Sequence, residues 1–280
     1  MAMSEHREID TVAHADFEKS LALYTSGGPE GKEEFMIPEE EKLERGEFFR
    51  GLTDIQVWLT GVAYLCICNS LYSFTLFLPT ILAGLYPDSD QAHIQLLSVP
   101  PFVPASVMVI AVAYVADRNR IRIPFILAFL PISMVGYIML IASVDNHVRY
   151  GAVFLVALGL YPSIPCLLSV LPNNFAGHYK KATAVAFQLA IANCAGFVAS
   201  FIYIKEKFGP NYVTSHSVVL ASLVLAWILL FANMMHCRRI NRLRDAGKGG
   251  EAEEKWRKDV REGKTQAPLG DRAQSFRYIL

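Results

Sequence analysis

Apolar residues in this chain neither alternate with polar ones nor recur at an amphipathic-helix period; they come in six long, uncharged blocks. The blocks are Val57–Leu82, Ile94–Ala116, Ile123–Ser143, Tyr150–Leu171, Ala182–Ile204 and His216–His236, and none holds Asp, Glu, Lys or Arg. About 20 apolar residues carry a helix across the hydrocarbon core of a bilayer. A soluble helix of that length keeps one face in water and carries charge on it. The pattern therefore predicts an all-α polytopic membrane protein with six transmembrane helices. Residues 1–54 read as a charged, mostly acidic leader, 55–237 as the transmembrane domain and 238–280 as a charged tail. The leader contains Gly27-Gly28-Pro29, and Glu39–Glu47 predicts a short solvated helix after Pro38. The polar, acidic start does not read as a signal peptide, so the first block is expected to act as the insertion signal.

The connections between blocks alternate in charge. Arg45 and Arg50 precede the first; Arg118, Arg120 and Arg122 follow the second; Lys180 and Lys181 follow the fourth; Arg238, Arg239, Arg242 and Arg244 follow the sixth. The other connections hold no basic residue (Tyr86–His93), Arg149 alone, or Lys205 and Lys207. Basic residues beside spans favour the cytoplasmic side, so both termini are expected there, as an even number of spans requires. Trp58, Tyr86, Tyr150, Tyr179, Tyr203 and Tyr212 fall near span ends, where amphipathic rings prefer the interface. The expected location is the plasma membrane, with the lipid bilayer as the first partner.

Composition narrows the functional classes. Twenty-six basic residues balance twenty-six acidic ones, so no nucleic-acid partner is expected. The five cysteines lie in or beside spans and read as small buried hydrophobes. No nucleophile elbow, phosphate loop or His/Cys metal spacing is present in the sequence, so no enzyme, cofactor or metal site is expected.

Polar residues inside spans are costly to bury, and that is where function is sought. The third and sixth blocks are nearly all apolar; Ser133, Ser222 and Asn233 are the main exceptions. The first block holds Asn69, Ser70, Tyr72, Ser73 and Thr75, of which Asn69, Tyr72 and Ser73 share a helical face. The fifth carries Ala184, Gln188, Ala192, Gly196 and Ser200 at four-residue spacing, a stripe suited to close helix packing, with Asn193 beside it. The fourth contains Tyr161-Pro162-Ser163-Ile164-Pro165. Two prolines remove helical hydrogen bonds there, and irregular backbone at membrane depth is tolerated when it is packed in protein or lines a cavity. Either a kink for packing or a binding site fits. Pro100, Pro101 and Pro104 bend the second block nearer one end.

The segment Ala113-Tyr114-Val115-Ala116-Asp117-Arg118-Asn119-Arg120-Ile121-Arg122 resembles the loop motif of the major facilitator superfamily, Gly-x-x-x-Asp-Arg-x-Gly-Arg-Arg/Lys. Ala113 stands for the first Gly, Arg120 for the second and Ile121 for the first basic residue. In that motif the acid caps or pairs across helix ends and the arginines reach neighbouring acids and carbonyls, so Asp117, Arg118, Arg120 and Arg122 are expected to latch the basic side. Further stretches are similar to the fungal anion:cation symporter branch, which transports allantoate, nicotinate and pantothenate. They are Leu71–Thr80, Gln95–Pro101, Tyr161–Pro165, Asn173-Asn174 with Gly177–Ala182, Phe187–Leu189 with Asn193, and Leu269–Arg272 with Ser275–Tyr278.

The resemblance implies the C-terminal six-helix half of a twelve-helix transporter, a small organic anion as substrate, and a complementary six-helix half as partner. It also implies a substrate surface made by Asn69, Tyr72, Ser73, Tyr161, Ser163, Gln188 and Asn193, with the third and sixth spans toward lipid. No block contains a carboxylate, so a proton-coupling acid is not expected in these spans. The other reading is a truncated or degenerate half that binds or regulates a full-length transporter.

Overall fold

The computed structural model describes residues 45–202, 212–248, 250–264 and 269–279, all within the unit Ile37–Leu280. Gly27-Gly28-Pro29, most of Glu39–Glu47, Tyr203, Lys205 and Lys207 lie outside the described residues. Every regular element among the described residues is helical. Six helices are long and apolar enough to cross a membrane: Ile55–Leu85, Gln91–Asn119, Ile123–Ala142, Asn146–Asn174, His178–Ile202 and Val213–Asp245, here the first to sixth spans. The chain is an all-α, six-span integral membrane protein.

Most spans outrun their apolar blocks, because a helix continues into the interface wherever its ends are capped. Asp54 caps the first span by accepting a hydrogen bond from the Gln56 N–H at 3.0 Å, and Asp145 caps the fourth from His147 at 2.9 Å. The sixth span has 33 residues, and at 1.5 Å each it is about 50 Å long, well beyond a hydrocarbon core of about 30 Å. Its last turns therefore stand clear of the apolar layer. A short helix, Arg45–Thr53, precedes the first span, and an amphipathic helix, Glu251–Arg261, follows the sixth.

Prolines decide where the spans bend. The second is interrupted at Val99-Pro100-Pro101 between helices Gln91–Ser98 and Phe102–Asn119. The fourth consists of Asn146–Leu160, Ser163–Leu168 and Val170–Asn174, so it does break at the proline pair. Pro165 has no N–H for the Tyr161 carbonyl, which accepts from Ile164 N at 3.3 Å instead.

The first and fourth spans are the most enclosed: 56% of each apolar stretch is buried, against 17% for the second. The first packs against the fifth and sixth, the third against the fourth and sixth, and the second against the fourth. The third and fourth cross at glycines. A Cβ on Gly159 would sit 2.6 Å from the Phe129 carbonyl oxygen, and one on Gly136 2.9 Å from that of Ala152, so only glycine allows this approach. Cys66, Cys68, Cys166 and Cys237 are buried as expected of small apolar residues, but Cys194 is exposed.

Candidate functional site: a polar wall on the first, fourth and fifth spans

The polar face read from the first span divides three ways in the structure. Asn69 points to the sixth span, where its Nδ2 donates to Ser222 Oγ at 3.3 Å. Tyr72 points to the fifth, and its hydroxyl donates to Asn193 Oδ1 at 3.4 Å. Ser73 is fully buried, and its hydroxyl has no partner among the described residues. Helical spacing placed these three residues on one face, but the fifth and sixth spans divide that face between them.

Tyr161 is held differently. Its hydroxyl lies 3.0 Å from Thr75 Oγ1, so it joins the fourth span at the proline break to the first. Its ring stands edge-on to Phe102 and Phe74, with centroids 5.6 and 6.5 Å away. Tyr72 and Thr75 are one helical turn apart. The pairs Tyr72–Asn193 and Thr75–Tyr161 are both accessible, and together they make one polar wall across the first, fourth and fifth spans. The offered groups are two phenols, a threonine hydroxyl and a carboxamide: neutral donors and acceptors suited to a polar or anionic solute. Thr75 belongs to this wall although its register lies off the face of Asn69 and Ser73. The clue in the sequence is its i, i+3 spacing from Tyr72.

Two other residues from the sequence reading sit behind the wall. Ser163 is buried and its hydroxyl donates to the Gly159 carbonyl at 2.9 Å, within its own helix. Gln188 is fully buried on the fifth span, and neither atom of its amide has a partner among the described residues. Asn193 Nδ2 donates to the Leu189 carbonyl at 2.9 Å, which fixes the amide so that its oxygen faces Tyr72.

The loop after the second span has a definite geometry. The helix ends in a Schellman motif: Ile121 N bonds to Ala116 O and Arg120 N to Asp117 O. Arg120 occupies the left-handed position, with φ 53° and ψ 35°. This is where the family's motif has its second Gly, and the backbone shows why glycine suits it. Asp117 accepts from Arg122 at 2.5 Å, across the junction of the second and third spans. Arg118 reaches the Tyr114 hydroxyl at 3.4 Å.

A second polar cluster lies at the same end of the chain's spans. Lys180, at 2% exposure, donates to Asp54 at 2.9 Å and to Asp271 at 2.6 Å, and lies 4.2 Å from the Phe175 ring centroid. The sequence reading used Lys180 only as a basic residue between the fourth and fifth blocks. Its two carboxylates come from elsewhere, one of them 91 residues along the chain, so no local pattern announces the pairing.

Comparison with known proteins agrees with the membrane architecture. An uncharacterized transporter of Schizosaccharomyces pombe is 30% identical over 244 residues, covering 86% of this chain and 46% of the relative. The high-affinity nicotinic acid transporter of Saccharomyces cerevisiae is 27% identical over 203 residues, covering 72% and 37%. A fungal protein named MFS transporter prlL is 30% identical over 189 residues, covering 66% and 38%. The chain is homologous to membrane transporters. These relatives support membership of the major facilitator superfamily, and they point to transport rather than catalysis. The chain spans less than half the length of each of these relatives. No family model matches the chain, and no solved structure does.

Proposed function

We propose that this chain supplies the C-terminal six spans of a major facilitator that carries a small organic anion across the plasma membrane. The observation that carries the reading is the similarity to fungal transporters over 86% of the chain. A relative named for nicotinic acid supports a small carboxylate as the substrate class. Tyr72, Thr75, Tyr161 and Asn193 form the substrate-facing wall; Asn69, Ser73, Ser163 and Gln188 set its backing. The Asp117–Arg122 loop latches one end, and both termini lie in the cytosol. No acid lies within the six apolar blocks, so a proton-coupling carboxylate belongs to a complementary six-helix half. The second reading is a six-span protein that binds and regulates a full-length transporter; uptake by a co-expressed full-length transporter, measured with and without this chain, tells the two apart.

The test is labelled nicotinate uptake, with a panel of other small carboxylates, in cells lacking their own uptake. The chain is expressed alone and together with the first six spans of the Saccharomyces cerevisiae transporter. Uptake only in the second case, with a raised half-saturation concentration in Tyr72→Phe and Asn193→Ala, supports the proposal. Losing one such donor or acceptor should cost about 1–3 kcal/mol of binding. No uptake of any carboxylate with both halves at the membrane would overturn it.

A further inference from the structure

The segment Leu269–Ile279 contains one short 3-10 turn, Gly270–Arg272, yet it is anchored at both ends and in its middle. The Asp271 carboxylate takes Lys180 at 2.6 Å and Arg50 at 3.5 Å. Arg272 pairs with Glu47. Arg244 donates to the Asp271 and Phe276 carbonyls at 2.8 and 2.7 Å, with the Tyr278 ring centroid 4.8 Å from its guanidinium carbon. Two asparagines then grip the backbone in the same way. Asn241 donates to Tyr278 O and accepts from Tyr278 N, each at 2.9 Å. Asn174 donates to Ile279 O at 3.1 Å and accepts from Ile279 N at 2.8 Å. Both amides thus imitate a strand partner for a segment that has none.

These anchors belong to three spans and to the helix that leads into the first. Glu47 and Arg50 lie on the short helix Arg45–Thr53 before the first span, Asn174 at the end of the fourth, Lys180 at the start of the fifth, and Asn241 and Arg244 at the end of the sixth; Asp54, the cap of the first, is reached through Lys180. Lys180 bridges Asp54 and Asp271, so the segment's own carboxylate completes the joint between the first and fifth spans. The apolar part of the attachment is a cluster separate from the main core: Cys237, Ala273, Phe276 and Tyr278, with Ala176, Ile240 and Leu269 packed against them. Attachment therefore combines this satellite cluster with polar contacts at helix ends, and both can be exchanged for water without opening the main core. When the segment leaves, Lys180 keeps Asp54, so no buried cation is stranded.

We propose that residues 269–279 are a releasable strap that fastens the helix leading into the first span to the ends of the fourth, fifth and sixth, and whose undocking loosens the joint between the first and fifth spans to the Lys180–Asp54 pair alone. The first, fourth and fifth spans also carry the polar wall. The strap is thus placed to hold that wall in one arrangement, but its existence does not depend on what the wall binds.

Hydrogen–deuterium exchange of the full chain in lipid nanodiscs tests this. In the native chain the amides of Ala273, Phe276, Tyr278 and Ile279 should be protected, yet exchange together before the span amides do. Asp271→Asn should speed their exchange about tenfold or more and leave the second and third spans unchanged. Asp271→Glu should restore most of the protection. Should Asp271→Asn not fold, Asn241→Ala removes one grip at the sixth span without touching the ion pairs and is expected to act in the same direction. Exchange of the strap only together with the spans would overturn the proposal, because the segment would then be a fixed part of the core. Full exchange of the strap in the native chain at the earliest time would overturn it as well.

Discussion

The indole N–H of Trp227 donates to the Leu127 carbonyl at 3.0 Å, the acceptor that Pro131 leaves vacant. A helical residue ordinarily donates to the carbonyl four before it, and proline has no N–H to give. The sixth span thus repairs the backbone of the third inside the membrane. Trp227→Phe keeps a ring able to stack on Phe231 but loses the donor. It should lower stability by about 1 kcal/mol. Thermal unfolding in detergent measures the loss. Pro131→Ala in the same background should recover most of it, and equal losses in both backgrounds would show that the two residues are not linked.

The crossing of the third and fourth spans should be intolerant of a single methyl group. Gly159→Ala places a Cβ against backbone atoms of Phe129 and Ser133, which cannot swing aside as a side chain does. Overpacking of this kind should cost about 1–3 kcal/mol and lower the unfolding temperature. Gly151→Ala is the control, since a Cβ there meets nothing within 4 Å. Equal behaviour of the two variants would mean that the crossing yields.

Arg120 stands in a left-handed conformation that costs a non-glycine residue roughly 1–2 kcal/mol. Arg120→Gly should therefore stabilise the end of the second span, and Arg120→Val should weaken it. Amide exchange of Arg120 and Ile121, whose N–H groups close the Schellman motif, reports the change. Slower exchange in the glycine variant and faster exchange in the valine variant is the expected result.

The orientation is open to direct labelling. With exposed Cys194 replaced by Ala, a cysteine at Asn119 should react with a membrane-impermeant maleimide only after cells are permeabilised. Reaction from outside intact cells would invert the proposed topology.

The strap carries its own alkaline reporter. Burial, and then the negative charge of Asp271, push the Tyr278 phenol from the usual 10 up to about 12; Asp54 acts in the same direction, while Arg244 pulls the other way. A phenol whose pKa is raised by docking stays neutral in both states below pH 10. Docking is therefore complete there and is lost as pH rises from 10 through 12. A phenolate absorbance titration of the native chain against Tyr278→Phe should show one tyrosine titrating near 12. A difference spectrum titrating at 10 would mean that the ring is not docked.

Span number, span type and helix breaks were legible in the sequence because the membrane imposes them locally. Each apolar block must satisfy its own backbone within one helix, and each internal proline must disrupt it, whatever its neighbours are. The Asp117–Arg122 pair is likewise local, five residues apart in the chain. The distribution of side chains among partners was not. Asn69, Tyr72 and Ser73 share one helical face by arithmetic, yet which of them bonds to the sixth span, which to the fifth and which is buried without a hydrogen-bond partner among the described residues depends on where those helices lie. Thr75 joined the wall, and Lys180 became a buried junction, through Tyr161 and Asp271, which are far off in the chain. Hydropathy is a property of each segment by itself, whereas a hydrogen bond needs two positions in space. The sequence by itself therefore determined the spans, and only the tertiary structure decided the wall and the strap.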